Sequence, residues 1–513
     1  MSTRKIFLGI VPPQVSLYGQ KARPQPPMGL AYAMNAVKKA GWGPVLFDTC
    51  AEAYKQYRED KKTGVRITGH SISNILTRIG SIKPEFIGIS LGLSTDHDYV
   101  KQLVGEIKQA YDIPIVLGGS HASLMHREII AGLPIERIPA DFVVAGRDIG
   151  SGELSIYHLL KEWKGNKDFK AVPGIAFAQN GKLIVTPSVS VSKTSLDSLE
   201  MPKRDLFSVV DGMDIYSKIN LSHTGPVDYP PYAVVHTSRG CGGSCTFCHI
   251  SYGDFNPALI GRSFENINME LRQLKSKGVR TISIEDDNFG GFNNERTSIA
   301  VKILQEIQRL GFKAVYFPNG LTIRSMINKG HSILRQLLHM ADRGMKIRSS
   351  LPIECSNGDT LRKIIRKPHT PDDVVNVLEE LKKRYLHHPN IELDAFFMVG
   401  IVGYQNGKFI SEPMDSIHQT LEMTERIASL GIRVNVWWSK PNPNGPQYKL
   451  WRSRFPKEPF YHLQFLFPAG IWGTSEQEAY VDELIRNINQ KMNESGTGSM
   501  RPIYPIIERQ ILD

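Results

Sequence analysis

Residues 237–250 read TSRGCGGSCTFCHI and place three cysteines, Cys241, Cys245 and Cys248, within a single short loop. The whole chain of 513 residues contains only five cysteines, so this concentration is informative. Thiolates are soft ligands, and a loop this short can bring all three to one iron–sulfur cluster. A closed four-iron cluster takes four protein thiolates, whereas this loop supplies three. The spacing therefore predicts a cluster with one iron open to a substrate or cofactor, which indicates an enzyme.

Two other metal centres match parts of the same stretch. The run CTFCH at residues 245–249 fits the C-x-x-C-H pattern of covalent haem attachment. That chemistry belongs to exported proteins, and the start MSTRKIFLGIVPP does not resemble a signal peptide, because its apolar run is short and ends at Pro12-Pro13. A structural zinc site needs a fourth ligand, and His249 is badly placed to share a metal with the adjacent Cys248. The open cluster is the favoured interpretation.

The composition is that of a large enzyme of the reducing cytoplasm. The length suffices for two or three domains, no apolar run reaches the roughly 20 residues of a membrane span, and cysteines are few. The net charge of +11 is distributed over short basic clusters such as Arg362-Lys363 and Arg366-Lys367, which we interpret as solvated helix faces that favour an anionic substrate. No nucleic-acid recognition motif occurs, so a nucleic-acid partner is not indicated. We expect a small-molecule substrate and no membrane.

The first 160 residues alternate strand and helix patterns. Helices are predicted at Gly29–Ala40 and Tyr99–Tyr111, and apolar strands at Lys5–Val11, Pro44–Phe47, Glu85–Leu91, Ile113–Leu117 and Asp141–Ala145. This order predicts a doubly wound, Rossmann-like sheet with its ligand at the carboxyl ends of the strands. No G-x-G-x-x-G follows the first strand, so a nicotinamide cofactor is not indicated. Gly118-Gly119 is explained equally well as a strand-ending turn.

Strand–helix alternation resumes from about residue 231 to 440, after a linker predicted at 161–230 with a small hairpin around Asn180-Gly181. The alternation predicts a partial barrel whose active site lies at the carboxyl ends of its strands. One strand, Thr281–Glu285, ends in the acidic run EDDNF, which suits either ligand contacts or a helix cap. Another, Ser349–Glu354, precedes Cys355, which is more typical of a small buried hydrophobe than of a reactive thiol.

Taken together, these stretches resemble the radical S-adenosylmethionine (SAM) superfamily, and within it the cobalamin-dependent enzymes. The C-x3-C-x2-C spacing with an aromatic residue before the last cysteine, EDDNF at 285–289 and ECSNG at 354–358 are similar to that family's cluster loop and strand ends. PPMGLAYAMNAVKKAGW at 26–42, GISLGLS, GGSHAS and ADFVVAG are similar to its cobalamin-binding domain. The resemblance implies an α/β chain with four parts. These are a doubly wound Rossmann-like cobalamin-binding domain (1–160), a linker (161–230), a partial (β/α)6 TIM-type radical SAM barrel (231–440) and a small C-terminal region (441–513).

The resemblance also implies three cofactors, a 4Fe-4S cluster, SAM and cobalamin, and the residues that hold them. The cluster ligands, which are also the catalytic residues, are Cys241, Cys245 and Cys248. The SAM-binding residues are Phe247, Glu285, Asp286, Asp287 and Glu354. The cobalamin-binding residues are Ser90, Gly92, Leu93, Ser94, Gly118, Gly119, His121 and Gly146. After the second strand the chain reads Asp48-Thr49-Cys50-Ala51 where other cobalamin proteins carry D-x-H-x-x-G, so no histidine is expected on the lower face of cobalt.

The activity that the resemblance implies is methyl transfer to an unactivated carbon of a natural-product type of substrate. One SAM supplies the methyl group through cobalamin, and a second supplies a 5'-deoxyadenosyl radical, with electrons from an external donor of the flavodoxin or ferredoxin type. The pattern from cluster to tail resembles the phosphonate-biosynthesis hydroxyethylphosphonate methyltransferases. A non-methylating cobalamin radical enzyme that catalyses cyclisation, ring contraction or rearrangement remains the alternative. A tRNA methylthiotransferase is not favoured, because only Cys50 lies near the N-terminus.

Overall fold

The chain divides into two compact units, Met1–Val227 with Pro456–Tyr461, and Asp228–Phe455 with His462–Asp513. The computed structural model describes residues 5–17, 22–60, 65–132, 137–146, 148–190, 195–210, 212–250, 258–385, 388–443, 445–456 and 472–494. In that described part, no helix is long and apolar enough to cross a membrane.

The first unit contains fourteen described strands and seven described helices. The strands are β1 (Ile6–Val11), β2 (Gln14–Leu17), β3 (Gly43–Asp48), β4 (Tyr57–Asp60), β5 (Val65–Thr68), β6 (Phe86–Ser90), β7 (Ile115–Gly118), β8 (Phe142–Val144), β9 (Ile175–Gln179), β10 (Lys182–Val185), β11 (Val209–Val210), β12 (Met213–Asp214), β13 (Leu221–Ser222) and β14 (Gly225–Pro226). The helices are α1 (Met28–Lys39), α2 (Ile72–Ile82), α3 (His97–Ala110), α4 (Ser120–Leu124), α5 (His126–Ala131), α6 (Ser151–Lys164) and α7 (Ile215–Ile219), with 3-10 turns at Ser94–Asp96, Phe169–Ala171 and Arg204–Leu206.

Seven of these strands form one sheet in the order β10-β9-β8-β7-β6-β1-β3. Strands β3, β1, β6, β7 and β8 are parallel, and helices connect them. Strands of such a sheet are buried on both faces, which explains why they are continuous apolar runs. Phe86 on β6 is fully buried and stacks on Phe7 with ring centroids 5.8 Å apart. The predicted doubly wound sheet is confirmed.

The hairpin around Asn180-Gly181 belongs to this sheet rather than to a separate linker. Strands β9 and β10 pair antiparallel, and β9 pairs antiparallel with β8, so that Phe177 lies opposite Phe142. The buried residues Ile175 and Phe177 extend the aromatic core at this edge. The hairpin was predictable from its turn, but its attachment depends on an apolar partner more than 30 residues earlier in the chain.

Asp48, at the end of β3, ties the later segment of the unit to the sheet. One carboxylate oxygen accepts hydrogen bonds from the backbone N–H groups of Cys50 (3.0 Å) and Ala51 (2.8 Å). The other accepts from the Tyr216 hydroxyl of α7 at 2.7 Å. The stretch that replaces D-x-H-x-x-G is therefore a turn closed by its own aspartate. Burial raises the pKa of the Asp48 carboxyl to about 6, against the opposing effect of its hydrogen bonds.

The second unit contains ten described strands and seven described helices. The strands are β15 (Tyr232–Val235), β16 (Ser238–Arg239), β17 (Ile260–Gly261), β18 (Thr281–Ile284), β19 (Ala314–Phe317), β20 (Lys346–Glu354), β21 (Ile391–Val399), β22 (Val402–Gln405), β23 (Lys408–Ser411) and β24 (Arg433–Trp438). The helices are α8 (Phe264–Ser276), α9 (Asn294–Arg309), α10 (Ile323–Asp342), α11 (Pro371–Arg384), α12 (Met414–Ser429), α13 (Pro446–Arg454) and α14 (Ser475–Glu494), with a π-helical turn at Thr360–Ile365.

Six parallel strands form the barrel sheet in the order β15-β18-β19-β20-β21-β24. The order follows the chain, and β15 and β24 are its two edges, so the predicted partial barrel is confirmed. The three-cysteine stretch follows β15, EDDNF follows β18 and Glu354 ends β20. Because the strands are parallel, these carboxyl ends lie along one edge of the sheet.

Asp48 makes a testable contribution to the pH dependence of stability. Its pKa rises from 3.8 in the unfolded chain to about 6 in the folded chain, so the folded state binds the proton more tightly. The stabilisation is fully present below pH 3.8 and is lost as the pH rises through about 6. This difference in pKa corresponds to about 3 kcal/mol. We expect the thermal midpoint of Asp48→Asn, relative to that of the unmodified protein, to rise between pH 4 and pH 7. Asp168→Asn, at an exposed position, is the control, and a pH-independent difference for Asp48→Asn would contradict the expectation.

Candidate active site and cofactor loops

The cluster loop, residues 240–248, is held to the barrel through Asp286. This carboxylate is 3% exposed and follows β18. Its Oδ1 accepts from the backbone N–H of Thr237 at 2.6 Å, and its Oδ2 accepts from the hydroxyls of Thr237 and of Ser238, the latter at 2.7 Å. Arg296 Nη2 lies 3.8 Å from the same Oδ2. Asp286 was predicted to contact SAM, but the structure engages both of its oxygens in holding the chain that enters the cluster loop.

The neighbours of Asp286 hold the first half of the cluster loop. Asp287 accepts a hydrogen bond from the N–H of Gly240 at 3.0 Å, and Asn288 donates to the carbonyl of Cys241 at 3.1 Å. Burial raises the pKa of the Asp287 carboxyl to about 6. Glu285 is half-buried, and its carboxylate accepts from the Ser283 hydroxyl at 3.3 Å. Asp287 and Asn288, consecutive residues after β18, thus bind two different backbone groups at the start of the cluster loop.

Other elements fix the second half of the cluster loop. Thr246 donates from its N–H to the Ile365 carbonyl (2.9 Å) and from its hydroxyl to the Ile364 carbonyl (2.7 Å). Asn442, beyond β24, donates to the Phe247 carbonyl at 2.7 Å. The cluster loop is therefore held by residues after β18, by the π-helical turn and by the segment after β24.

The three thiols lie close enough to act on one another electrostatically. Cys245 is buried, and Cys241 and Cys248 are half-buried. Burial raises the pKa of the Cys245 thiol to about 12, while Lys367 acts to lower it and the other two cysteines act to raise it. Among the described residues, no three His, Cys, Asp or Glu side chains surround a point suited to a single metal ion. A four-iron cluster does not need three ligands around one metal ion, because each thiolate binds a separate iron.

A buried ion pair lies beside these thiols. Lys367 Nζ is 2.7 Å from a carboxylate oxygen of Glu354, and the side chains are 9% and 10% exposed. The same Nζ lies 5.5 Å from the centre of the Phe247 ring. Burial acts to lower the pKa of Lys367, but attraction to Glu354 and Cys245 outweighs it and the pKa is raised. The expectation that Lys367 lies on a solvated helix face was wrong.

Backbone geometry explains how Glu354 reaches this position. The register of β20 against β21 shifts between Pro352 and Glu354, and Glu354 adopts φ +71°. A glutamate in the left-handed region costs of order 1–3 kcal/mol and persists where the surroundings enforce it, often at functional sites. The turn after it is π-helical and ends at Arg366, which has φ +60°.

Sequence reasoning missed several residues that build this site, namely Lys367, Asn288, Asn442, Thr237 and Arg296. Lys367 was noted only as part of a basic run, and Asn288 only as part of the acidic strand end. Arg296 lies in α9 and donates to the carbonyl and hydroxyl of Thr237, both at 3.0 Å. Nothing in the local sequence around Arg296 signals that contact, because its partner is 59 residues away.

In the first unit, the residues predicted to hold cobalamin come together at the carboxyl ends of β6, β7 and β8. Ser90 pairs with Gly118 in the sheet register, and Leu91 N–H donates to the Gly118 carbonyl at 2.6 Å. Gly119 has φ +114°, and a Cβ there would lie 2.7 Å from the Leu91 carbonyl oxygen. A larger residue at Gly119 would therefore push the two loops apart.

The loop after β6 leaves room for a ligand. A Cβ on Gly92 would meet no atom within 4 Å, and Leu93 is 53% exposed although it is a large apolar residue. Gly146, after β8, is different, because a Cβ there would lie 2.8 Å from the Ser151 hydroxyl. Gly92 and Leu93 thus face open space, whereas Gly146 permits close packing within the protein.

His121 occupies a buried position behind this loop. It is 1% exposed, its Nδ1 lies 2.9 Å from the Ser94 hydroxyl, and its Nε2 lies 3.0 Å from Nδ1 of His97. Burial and the neighbouring His97 hold the pKa of His121 well below its usual value, so the ring is neutral. His121 was predicted to bind cobalamin directly, but the structure places it where it orients Ser94, and His97 was missed.

Comparisons with known proteins agree with this architecture. Family models match the radical SAM superfamily over residues 235–410 and a B12 binding domain over residues 22–148. An uncharacterized methyltransferase of Pyrococcus horikoshii is 26% identical over 309 residues, and the match covers 60% of this chain and 58% of that protein. The cytidylyl-2-hydroxyethylphosphonate methyltransferase of Streptomyces wedmorensis is 22% identical over 397 residues, covering 73% and 69%. The radical SAM methyltransferase TsrM of Kitasatospora setae covers 98% of this chain and 92% of its own, with a TM-score of 0.66 and 13% identity.

The two matched domains fall one in each unit, and together they span more than half of the chain. The protein is therefore a radical SAM enzyme with a B12-binding domain. It belongs to the cobalamin-dependent radical SAM enzymes, and its domains imply a 4Fe-4S cluster, SAM and cobalamin as cofactors.

Asp286→Asn tests whether the Asp286 carboxylate positions the cluster loop. The amide replaces one acceptor oxygen with a donor, which then faces hydroxyl and N–H donors in a buried site. Loss of a buried charge-assisted hydrogen bond costs about 1.5–3 kcal/mol. We expect less iron and sulfide per chain after reconstitution and a lower thermal midpoint. Asp342→Asn, exposed at the opposite end of the barrel strands, is the matched control. Full iron binding in Asp286→Asn would contradict the positioning role.

Proposed function

We propose that this enzyme is a methyltransferase that passes a methyl group from SAM, by way of cobalamin, to an unactivated carbon of a small-molecule substrate. The observation that carries the proposal is the three-cysteine loop at the mouth of a radical SAM barrel, in a chain that also has a B12-binding domain. The Pyrococcus and Streptomyces relatives are both named methyltransferases, which supports methyl transfer over cyclisation or rearrangement. The positive net charge favours an anionic substrate.

The cluster loop fits a four-iron cluster that leaves one iron open. When bound, such a cluster supplies the electron that cleaves SAM. Cys241, Cys245 and Cys248 would hold it as thiolates, because metal coordination displaces the thiol proton even where burial has raised the pKa. Lys367 lies beside these sulfurs and compensates part of their negative charge. Hydrogen bonds from Asn288 and Asn442 to loop carbonyls keep the three sulfurs oriented.

The Glu354–Lys367 pair fits the amino-acid end of SAM, which carries an ammonium and a carboxylate. Glu354 offers an acceptor for the ammonium, and Lys367 offers donors for the carboxylate. Both side chains are largely buried, and charge-assisted hydrogen bonds are the strong ones. The half-buried carboxylates of Glu285 and Asp287 are additional acceptors after β18, which β19 separates from β20 in the sheet. Phe247 lies against Lys367 and restricts the space above the pair. We assign SAM binding to Glu354 and Lys367 first.

The loops after β6 and β7 fit cobalamin, whose role when bound is to carry the methyl group. Open space over Gly92 and the exposed face of Leu93 offer apolar surface and room for close approach of a flat ligand. Ser90 and Ser94 offer hydroxyls at the same edge. Gly118 and Gly119 carry no side chains, so a ligand can come close to their backbone. His121 and His97 hold Ser94 from behind.

Product analysis of Cys245→Ala tests the proposed function. We expect the reconstituted enzyme with labelled SAM and reductant to form both S-adenosylhomocysteine and 5'-deoxyadenosine. Cys245→Ala should lose 5'-deoxyadenosine to background but retain S-adenosylhomocysteine, because it lacks one cluster ligand and keeps the B12-binding domain. Cys50→Ala, another buried cysteine outside the cluster loop, is the control. Deoxyadenosine without S-adenosylhomocysteine in the unmodified enzyme would instead identify a non-methylating radical enzyme.

Lys367→Gln tests the assignment of the SAM site. Removal of one charge-assisted hydrogen bond should raise the dissociation constant for SAM about tenfold or more. The control is Lys363→Gln, which removes an exposed lysine of the π-helical turn that precedes Lys367. Iron content is measured in both variants, so that loss of the cluster is distinguished from loss of the contact. Equal SAM affinity of the two variants would exclude Lys367 from the site.

A further inference from the structure

A cavity of about 450 Å³ lies against the outer face of the cluster loop, and we name it the cationic basin. It is lined by the loop residues 242–244, by Phe292 and by the cations Arg324, Arg362, Arg366 and Lys367. No acidic side chain is among its described lining residues. A concentration of one sign of charge beside a redox centre calls for an explanation other than solvation.

The cations of the basin are not equivalent. Lys367 is neutralised by Glu354, and Arg362 shares the exposed carboxylate of Asp359. Arg324 and Arg366 are exposed, and within the described chain neither forms an ion pair. Exposed, unneutralised guanidinium groups steer a charged macromolecule and are typical of the rim of a transient interface. Lys367, the least exposed of the four cations, is already paired with Glu354, so the cations left for a small anionic ligand are exposed and do not enclose it.

The wall between the basin and the cluster ligands is thin. Gly242 is exposed with φ +72°, and a Cβ on Gly243 would lie 3.3 Å from the Cys241 sulfur and 3.7 Å from the Phe292 ring. The two glycines therefore place no side chain of their own between the basin and the Cys241 sulfur. A short path of this kind suits electron transfer, and the charge around it suits an acidic partner.

We propose that the cationic basin is the docking surface for an acidic flavoprotein that donates one electron at a time. The proposal rests on the proposed function, because cleavage of SAM at the cluster consumes that electron. In each encounter the anionic flavin hydroquinone of the donor loses one electron and becomes the neutral semiquinone, with no proton transferred. A cluster held by Cys241, Cys245 and Cys248 would be the acceptor of that electron. Arg324 and Arg366 orient the donor, and Gly242 and Gly243 set how closely it approaches the cluster ligands.

Charge reversal at the rim tests the docking surface through binding alone. The variant carries Arg324→Glu with Arg366→Glu, and the probe is oxidised flavodoxin, titrated by calorimetry against the reconstituted enzyme. We expect the dissociation constant to rise about tenfold or more, since rim charges act on association and are screened by salt. The affinity of the unmodified enzyme should fall as salt is raised. An unchanged dissociation constant overturns the proposal.

The matched control reverses two exposed cations at the other end of the barrel. Lys313 and Arg343 line a second cavity of about 410 Å³ at the amino ends of β19 and β20. Lys313→Glu with Arg343→Glu changes the net charge by the same amount and should leave flavodoxin binding within about twofold, as expected for charges beyond the screening length. An equal loss of affinity in this control would show that net charge alone governs binding, which overturns the basin as the docking surface.

A comparison of reductants separates this proposal from the proposed function. With reduced flavodoxin, the rim variant should form 5'-deoxyadenosine more slowly than the unmodified enzyme. With reduced methyl viologen, a small cationic donor, the two should be equally active. Equal loss with both donors would assign the basin to substrate or SAM binding and overturn the docking role. If the unmodified enzyme cleaves SAM with neither donor, the proposed function fails, while the binding titration still decides the docking surface.

Discussion

The carboxylate of Asp286 is the constraint on which the geometry of the barrel mouth depends. A buried carboxylate is costly unless it is fully hydrogen-bonded, and Asp286 meets that demand with donors from Thr237 and Ser238. These donors lie between β15 and the first cysteine, so satisfying the charge also fixes the direction in which the chain enters the cluster loop. Arg296 adds a positive charge and at the same time donates to Thr237. The need of the buried Asp286 carboxylate for hydrogen-bond donors thus determines where the cluster loop begins.

Two additional buried ion pairs extend this principle around the same strand ends. Arg262 pairs with Glu270 and donates to the His236 carbonyl at 2.9 Å, next to the segment that Asp286 holds. Lys367 pairs with Glu354 on the far side of the thiols. Replacing a buried ion pair by apolar residues is often neutral for stability, so such pairs are explained better by the geometry they impose. Arg262, for example, holds the His236 carbonyl just before the segment that leads into the cluster loop.

Much of the fold could be predicted because its signals are local, and the prediction of the cluster site rests on a local signal as well. Continuous apolar runs identify the parallel strands, Asn180-Gly181 identifies a hairpin, and the spacing of three cysteines identifies a cluster. The roles of Asp286 and His121 could not be predicted in this way. Their sequence positions at strand ends suit a ligand, but partners far along the chain bury them and engage their polar atoms.

Lys367 shows why periodicity failed in the basic run. Arg362, Lys363, Arg366 and Lys367 would all be solvated if the segment were an ordinary surface helix, and the first three are indeed exposed. The turn is π-helical, however, and Arg366 leaves it in the left-handed conformation. This reversal directs the next side chain inward to Glu354. The left-handed conformation of Arg366 therefore decides which of the four cations joins the site. The spacing of the basic residues in the sequence does not reveal that conformation.

The cluster loop has two sides with different chemistry, and this division follows from its sequence. Thr246 and Phe247 are bound to Ile364, Ile365 and Asn442, so this side is held against other elements of the barrel. Gly242 and Gly243 leave the other side thin and bordered by exposed cations. A radical is useful only where water and other quenchers are excluded, whereas an electron donor must be able to approach and leave. A loop of three cysteines with two glycines on one side and an aromatic residue on the other meets both requirements at once.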